Sequence, residues 1–302
     1  MNAVTEEIKQ LKKEKNAVIL AHYYVEEAVL VIADYIGDSY YLSRLATETT
    51  ADVDVFCGVG FLGESAKVLN PGKKVLMPDM SADCPMAHMA DIAGIEKLRA
   101  EYEDLAVVCY INSTAELKAH ADVCVTSSNA LKIVKALPNK HILFIPDDNL
   151  GHFIAEQVPE KEFLYQNGHC PVHKAIAPEA VKKAKQEHPL ALVLAHPECL
   201  PEVSALADYV GSTSGIIDYA TKSDAEEFVI CTETGVFYEL KKKNPGKKFY
   251  PASAHQICPD MKKITLEKVR DVLKNESNAV TVEKELSEKS GRPLERMLEL
   301  AK

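Results

Sequence analysis

The sequence predicts an α/β protein made of three small α/β/α sandwiches, each with a short parallel sheet, on two observations. The first is a triplicated set of landmarks. Cys-Pro dipeptides stand at Cys84, Cys170 and Cys258, 86 and then 88 residues apart, more than chance placement of 8 Cys and 15 Pro in 302 residues gives. The segments VILAHYY (18–24), AVVCYIN (106–112) and LVLAHPE (192–198) align at offsets of 88 and 86. So do Ala33-Asp34-Tyr35, Ala121-Asp122-Val123 and Ala207-Asp208-Tyr209. Independent anchors in one register mark a true internal repeat. The second observation is that short aliphatic, β-branched runs alternate with helical patterns, which is how parallel sheets covered on both faces read.

Each repeat begins with a helix (5–15, 91–102, 178–187), followed by an apolar strand containing the aligned segment. A second helix leads to a short strand near the shared Asp, and a third helix follows. A third strand comes next (53–57, 141–145, 227–231). One more helix leads to a last extended segment (74–77, 162–165, 248–250) just before the Cys-Pro. The expected domains are 1–84, 85–170 and 171–258. The remaining residues, 259–302, should supply two or three helices (266–275, 283–289 and 293–300) that pack back on the first repeat.

Bulk composition narrows the function. The chain is 47% hydrophobic and 26% charged, with net charge −10. An acidic chain without a basic stripe argues against nucleic acid and anionic membranes as partners. Lys241-Lys242-Lys243 and Lys247-Lys248 read as a solvated helix end and turn. The N-terminus lacks the apolar stretch of a secretion signal, and no run approaches the length of a membrane span. A cytoplasmic location follows as the expectation. There, eight reduced cysteines favour metal binding over disulfides.

In open parallel sheets, ligands gather beyond the carboxyl ends of the strands. At the first strand of each repeat those positions hold His22 and Tyr24, Tyr110 and Asn112, His196 and Glu198. Each pair is spaced i, i+2, so both side chains leave the strand on one side. At the second strand stand Ser39, then Ser127 within Thr126-Ser127-Ser128, then Ser212 and Thr213, each before a helix. They suit helix caps, and helix starts also favour carboxylate or phosphate oxygens. No glycine-rich phosphate loop is present, which argues against a nucleotide. Three thiolates converging from Cys84, Cys170 and Cys258 would form an incomplete set for a tetrahedral metal or an iron–sulfur site. Cys57, Cys109 and Cys231 read as buried hydrophobes, and Cys124 and Cys199 stay undecided. Cys170-Pro-Val-His173 and Cys84-Pro-Met-Ala-His88 leave a zinc reading open.

Taken together, AHYY (21–24), FCGVGFLGESAK (56–67), YINSTAELKA (110–119), VCVTSSNA (123–130), FIPDDNLG (144–151), GHCPVH (168–173), HPEC (196–199), ADYVGSTSGI (207–216), TETG (232–235) and CPDMKKITLE (258–267) resemble the quinolinate synthase family over essentially the whole chain. The resemblance implies a pseudo-threefold arrangement of three α/β domains around a central active site. It further implies a 4Fe–4S cluster on Cys84, Cys170 and Cys258 with one iron open. The implied reaction is a transferase-type condensation of iminoaspartate with dihydroxyacetone phosphate, giving quinolinate, phosphate and two waters for NAD biosynthesis. An L-aspartate oxidase or dehydrogenase would supply the iminoaspartate. Catalytic roles then fall on Tyr24, Glu198, His22, His196 and Tyr110. Substrate binding falls on His22, Ser39, Tyr110, Asn112, Ser127, His196, Glu198, Ser212 and Thr213. One departure is visible: Ala252 and His255 stand where many relatives carry a Cys-x-x-Cys-x-x-Cys run ending at the last ligand. Two other readings of the bare residues remain: a hydro-lyase of another small dicarboxylic acid, and a zinc-binding or iron-sensing protein.

Overall fold

The computed structural model describes residues 3–302. The first repeat runs α1 (Ala3–Glu14), β1 (Ala17–His22), α2 (Glu27–Ile32), β2 (Tyr35–Gly37), α3 (Ser39–Glu48), β3 (Val53–Cys57), α4 (Gly60–Leu69) and β4 (Lys74–Leu76). The second runs α5 (Ile92–Glu101), β5 (Ala106–Tyr110), α6 (Ala115–Lys118), β6 (Val123–Val125), α7 (Ala130–Ala136), β7 (His141–Ile145), α8 (Asp148–Ala155), β8 (Glu162–Leu164) and the short α9 (Pro171–Lys174). The third holds α10 (Pro178–Glu187), β9 (Leu192–Ala195), α11 (Pro201–Ser204), β10 (Tyr209–Val210), α12 (Thr213–Lys222), β11 (Glu227–Cys231), α13 (Phe237–Lys243) and β12 (Lys248–Pro251). Two helices end the chain, α14 (Leu266–Asn275) and α15 (Lys284–Leu300).

These strands form three four-stranded sheets, ordered β2-β1-β3-β4, β6-β5-β7-β8 and β10-β9-β11-β12. The registered strand pairs in all three are parallel. The α/β class and the three parallel sheets are therefore as the repeat predicts. The apolar runs sit inward: β3 and β5 are buried along their whole length. In this strand order the chain reverses direction across each sheet after its second strand. The carboxyl ends of the first and third strands of each sheet therefore flank a switch point, where such folds bind ligands. The described residues fall into two compact units, Met1–His88 with Val107–Thr126 and Pro259–Lys302, and Met89–Ala106 with Ser127–Cys258. No helix among them is long and apolar enough to cross a membrane.

The landmark aspartates hold the sheets together. The carboxylates of Asp34, Asp122 and Asp208 accept the N–H of Ile19, Val107 and Val193, at 2.7 Å in all three repeats. Each also donates its own N–H to the carbonyl of the same residue. This double clasp ties the start of the second strand to the first strand, so the Ala-Asp landmark is architectural. A second triplicate, Lys73, Lys161 and Lys247, shares the 88 and 86 offsets. Each ammonium donates to two carbonyls where the third helix of its repeat ends: Ala46 and Thr49, Leu137 and Asn139, Ala220 and Ser223. Those carbonyls have no partner within their own helix, which makes a cation there favourable.

The tail has two helices, within the expected two or three, because the segments read at 283–289 and 293–300 are joined. One helix, α15, runs from Lys284 to Leu300 with Pro293 inside it. A proline at mid-helix removes one backbone bond and typically breaks the helix. Here Ser290, Gly291, Pro293, Leu294 and Met297 are buried together on one face, and that burial outweighs the lost bond. Helix α15 packs on α4, α6 and β6, while α14 packs on α1. Arg296 donates to the Asp122 carbonyl at 3.0 Å.

Asp54 on β3 is a buried carboxyl in the first sheet. It is fully buried, neither carboxyl oxygen has a hydrogen-bond partner, and the Lys73 ammonium stands 3.7 Å away. Burial raises its pKa to about 6, against the lowering pull of Lys73. Between the ordinary value of 3.8 and about 6, the folded chain binds a proton that the unfolded chain does not. Stability should therefore fall as pH rises through that window. Asp54→Asn should flatten this dependence and stabilise the protein at pH 7 by about 1–3 kcal/mol. Urea midpoints measured from pH 4 to pH 7 check both; a variant weaker than the parent at pH 7 refutes the expectation.

Candidate active site

The sequence His-x-(Tyr/Glu) produces the same turn twice. Beyond β1, the Tyr24 N–H donates to His22 Nδ1 at 3.3 Å. Beyond β9, the Glu198 N–H donates to His196 Nδ1 at 3.3 Å. In both, Nδ1 acts as acceptor, which leaves the proton of a neutral ring on Nε2. His22 and His196 are buried. The Tyr24 ring stands edge-on to His22 with centroids 4.6 Å apart. Lys262 donates to the Tyr24 carbonyl at 2.7 Å.

Around β9 the polar groups are dense. Glu198 is buried, 3% exposed, and its Oε2 lies 2.7 Å from His173 Nδ1. The same nitrogen is 3.1 Å from Cys170 Sγ, and His173 Nε2 is 2.8 Å from the Thr232 hydroxyl. His173 stacks on His196 at 4.7 Å. His196 Nε2 in turn reaches the Ser127 hydroxyl at 3.2 Å. Asn149 donates to the Glu198 carbonyl at 3.2 Å. The ligand atoms of Cys170, His173 and Glu198 all lie within 4.8 Å of one another, a set able to hold a cation or pass a proton. Asp147, fully buried behind them, has its pKa pushed well up by burial and by the Glu198 charge.

The hydroxyls behave unevenly. Ser212 caps α12, its Oγ accepting the Gly215 N–H at 3.1 Å, and Thr213 is buried at the first helical position. In the first repeat the cap is Asp38, which accepts the Tyr41 N–H, and Ser39 opens the helix behind it. In the second, Asn129 makes no side-chain cap bond to α7, and Ser127 instead reaches His196. Tyr110 ends β5, buried, with its carbonyl accepting the Ser113 hydroxyl at 2.9 Å. Asn112 follows. Its buried Oδ1 has no hydrogen-bond partner, an orphan acceptor that a ligand hydroxyl or N–H would satisfy.

The cysteines divide cleanly. Cys84, Cys170 and Cys258 are half-buried, and the other five are buried. Burial pushes the Cys231 thiol up to about 12 and raises Cys57 and Cys199 well above the usual thiol range. Such thiols are poor ligands. Cys109 and Cys124, register partners on β5 and β6, lie fully buried beside the buried Lys118 ammonium. The three Cys-Pro thiols, less buried than the other five, are of a donor type that fits a soft iron–sulfur group. His88 pairs with Asp83 at 2.7 Å.

Sequence reasoning passed over His173 as a proton-handling group, and missed Thr232, Asp147 and the buried Glu233, whose carboxyl accepts the Cys258 N–H at 3.1 Å. The Asp147–Glu233 offset of 86 was the readable signal for the last two.

Comparison with known proteins gives the family. Residues 6–299 match the family model described as "Quinolinate synthetase A protein" (NadA). The chain is 52% identical over 298 residues to the quinolinate synthase of Clostridioides difficile, covering 99% of this chain and 98% of that one. It is 53% identical over 294 residues to that of Caldicellulosiruptor bescii, covering 97% of each. With the Aquifex aeolicus quinolinate synthase it shares 50% over 300 residues, 98% of this chain and 93% of the relative.

Proposed function

The chain belongs to the quinolinate synthetase A (NadA) family, enzymes of NAD biosynthesis, and on that premise we propose how its own residues carry the reaction. Cys84, Cys170 and Cys258 hold a 4Fe–4S cluster through three thiolates, with the fourth iron open to substrate. The observation that carries this reading is the division of the eight cysteines: the Cys-Pro thiols alone are half-buried, and the others are sealed in the core. The substrates are iminoaspartate and dihydroxyacetone phosphate, the products quinolinate, phosphate and two waters. A new carbon–carbon bond makes the enzyme a transferase. It works in the cytoplasm, fed by an L-aspartate oxidase or dehydrogenase.

When bound, the cluster supplies a Lewis-acidic iron that polarises a substrate oxygen. The chain's own residues do the rest. Glu198 moves the proton that each dehydration must relocate. Its Oε2 is in hydrogen-bond reach of His173 Nδ1, whose Nε2 reaches the Thr232 hydroxyl. A proton on Nδ1 would donate to Glu198 and leave Nε2 to accept from Thr232. His22 and His196 present Nε2–H to developing negative charge, and the Tyr24 phenol acts as an acid. Tyr110 and Asn112 orient the triose, the orphan Oδ1 of Asn112 accepting one of its hydroxyls. Ser39, Ser127, Ser212 and Thr213 hold carboxylate and phosphate oxygens.

Anaerobic reconstitution tests the proposal. About four irons and four sulfides per chain, with quinolinate formed from the two named substrates, support it. A colourless protein holding one zinc would replace it with the metal-binding reading. A loaded cluster that dehydrates other dicarboxylic acids but makes no quinolinate would replace it with a hydro-lyase.

A further inference from the structure

Two buried carboxylates each serve two masters. Asp147 caps α8: one oxygen accepts the Leu150 N–H at 2.8 Å. Its other oxygen accepts the backbone N–H of Cys170 at 3.0 Å. Glu233, 86 residues on, repeats the device before the turn at Thr234–Val236. One oxygen accepts the Gly235 N–H at 2.6 Å, the other the backbone N–H of Cys258 at 3.1 Å. Both side chains are 0% exposed. The first repeat has Val59 at this place, with no side-chain cap. There the Cys84 N–H goes to its exposed neighbour Asp83 at 2.8 Å.

A cap alone would not require this chemistry. Ser, Thr or Asn offers one acceptor oxygen and satisfies one N–H. A carboxyl group is the side chain that offers two acceptor oxygens, and here each reaches a different segment: a helix start and a cysteine. Burying a carboxyl is costly, so a group kept buried for two N–H bonds marks a geometry that the fold holds tightly.

We propose that Asp147 and Glu233 are positioning residues that lock the backbone of Cys170 and Cys258 to the structures following β7 and β11, so that both thiols are preset for the cluster. This rests on the cluster reading above.

The test uses the full chain with Ala and amide replacements at each acid, and Asp91→Ala as a control. Asp91 caps α5 at 2.8 Å and touches no cysteine. Before loading, Asp147→Ala should speed amide hydrogen exchange at Cys170 by about tenfold or more, and Glu233→Ala should do the same at Cys258. Neither should change Cys84. Asp147→Asn and Glu233→Gln, which keep one acceptor oxygen, should fall between parent and Ala. After anaerobic loading, iron release to a chelator should follow the same order. Parental exchange at both cysteines overturns the proposal. So does equal acceleration at Cys84, which means general loosening, or altered exchange with parental iron release. A parent protein that takes up no iron sinks the cluster reading and the role given to the clamp, while the exchange data would still report whether the clamp exists.

Discussion

Replacing Cys84, Cys170 or Cys258 singly with Ser is expected to abolish cluster retention and lower turnover by about a thousandfold or more, as loss of metal-supplied charge stabilisation worth several kcal/mol does. Serine keeps nearly the size of cysteine but offers a hydroxyl in place of a thiolate, so the fold should survive. Cys57→Ala is the contrasting case. That thiol is fully buried in β3 and raised by burial beyond useful ionisation, and its loss should leave iron content unchanged. Iron and sulfide analysis with single-turnover assays reads both. A Cys258→Ser protein with a parental cluster and parental turnover would remove that residue from the ligand set, and the triplicated Cys-Pro would need another explanation.

Glu198→Gln should cut kcat by about 10²–10⁴-fold, the range of a lost general acid–base group, while the cluster loads normally. The amide preserves the shape of a side chain that is 3% exposed. It cannot carry the proton that the carboxylate shares with His173 at 2.7 Å. KM should change little, because the binding proposed for Ser212 and Thr213 is untouched. Loss of iron in Glu198→Gln would point instead to direct ligation, which the 4.8 Å grouping with Cys170 and His173 makes the natural alternative. Parental kcat would exclude Glu198 from proton handling altogether.

Much of this was legible before any coordinates. The repeat fixed the class because its landmarks coincide with backbone necessity: Asp34, Asp122 and Asp208 recur because a strand N–H in each sheet needs that carboxylate. Strand limits at 53–57, 141–145 and 227–231 match β3, β7 and β11, since fully buried parallel strands read as unbroken apolar runs. The His22–Tyr24 and His196–Glu198 pairs were visible from strand periodicity alone. Other features need tertiary knowledge. Pro293 reads locally as a stop signal, and only its burial with Leu294 and Met297 shows why the helix continues. His173 reads as a neighbour of Cys170, and nothing local shows that the chain after β9 brings Glu198 against it. Asp147 and Glu233 look like ordinary caps, because their second bonds go to residues 23 and 25 positions later.

The final helix has a consequence for life at high concentration. Strand β6 is the outermost member of its sheet, and an uncovered sheet margin is a template on which another polypeptide can add itself and polymerise. Helix α15 packs on β6, and Arg296 occupies the Asp122 carbonyl at the start of that margin. A helix kept whole through Pro293 is what carries Arg296 to that carbonyl.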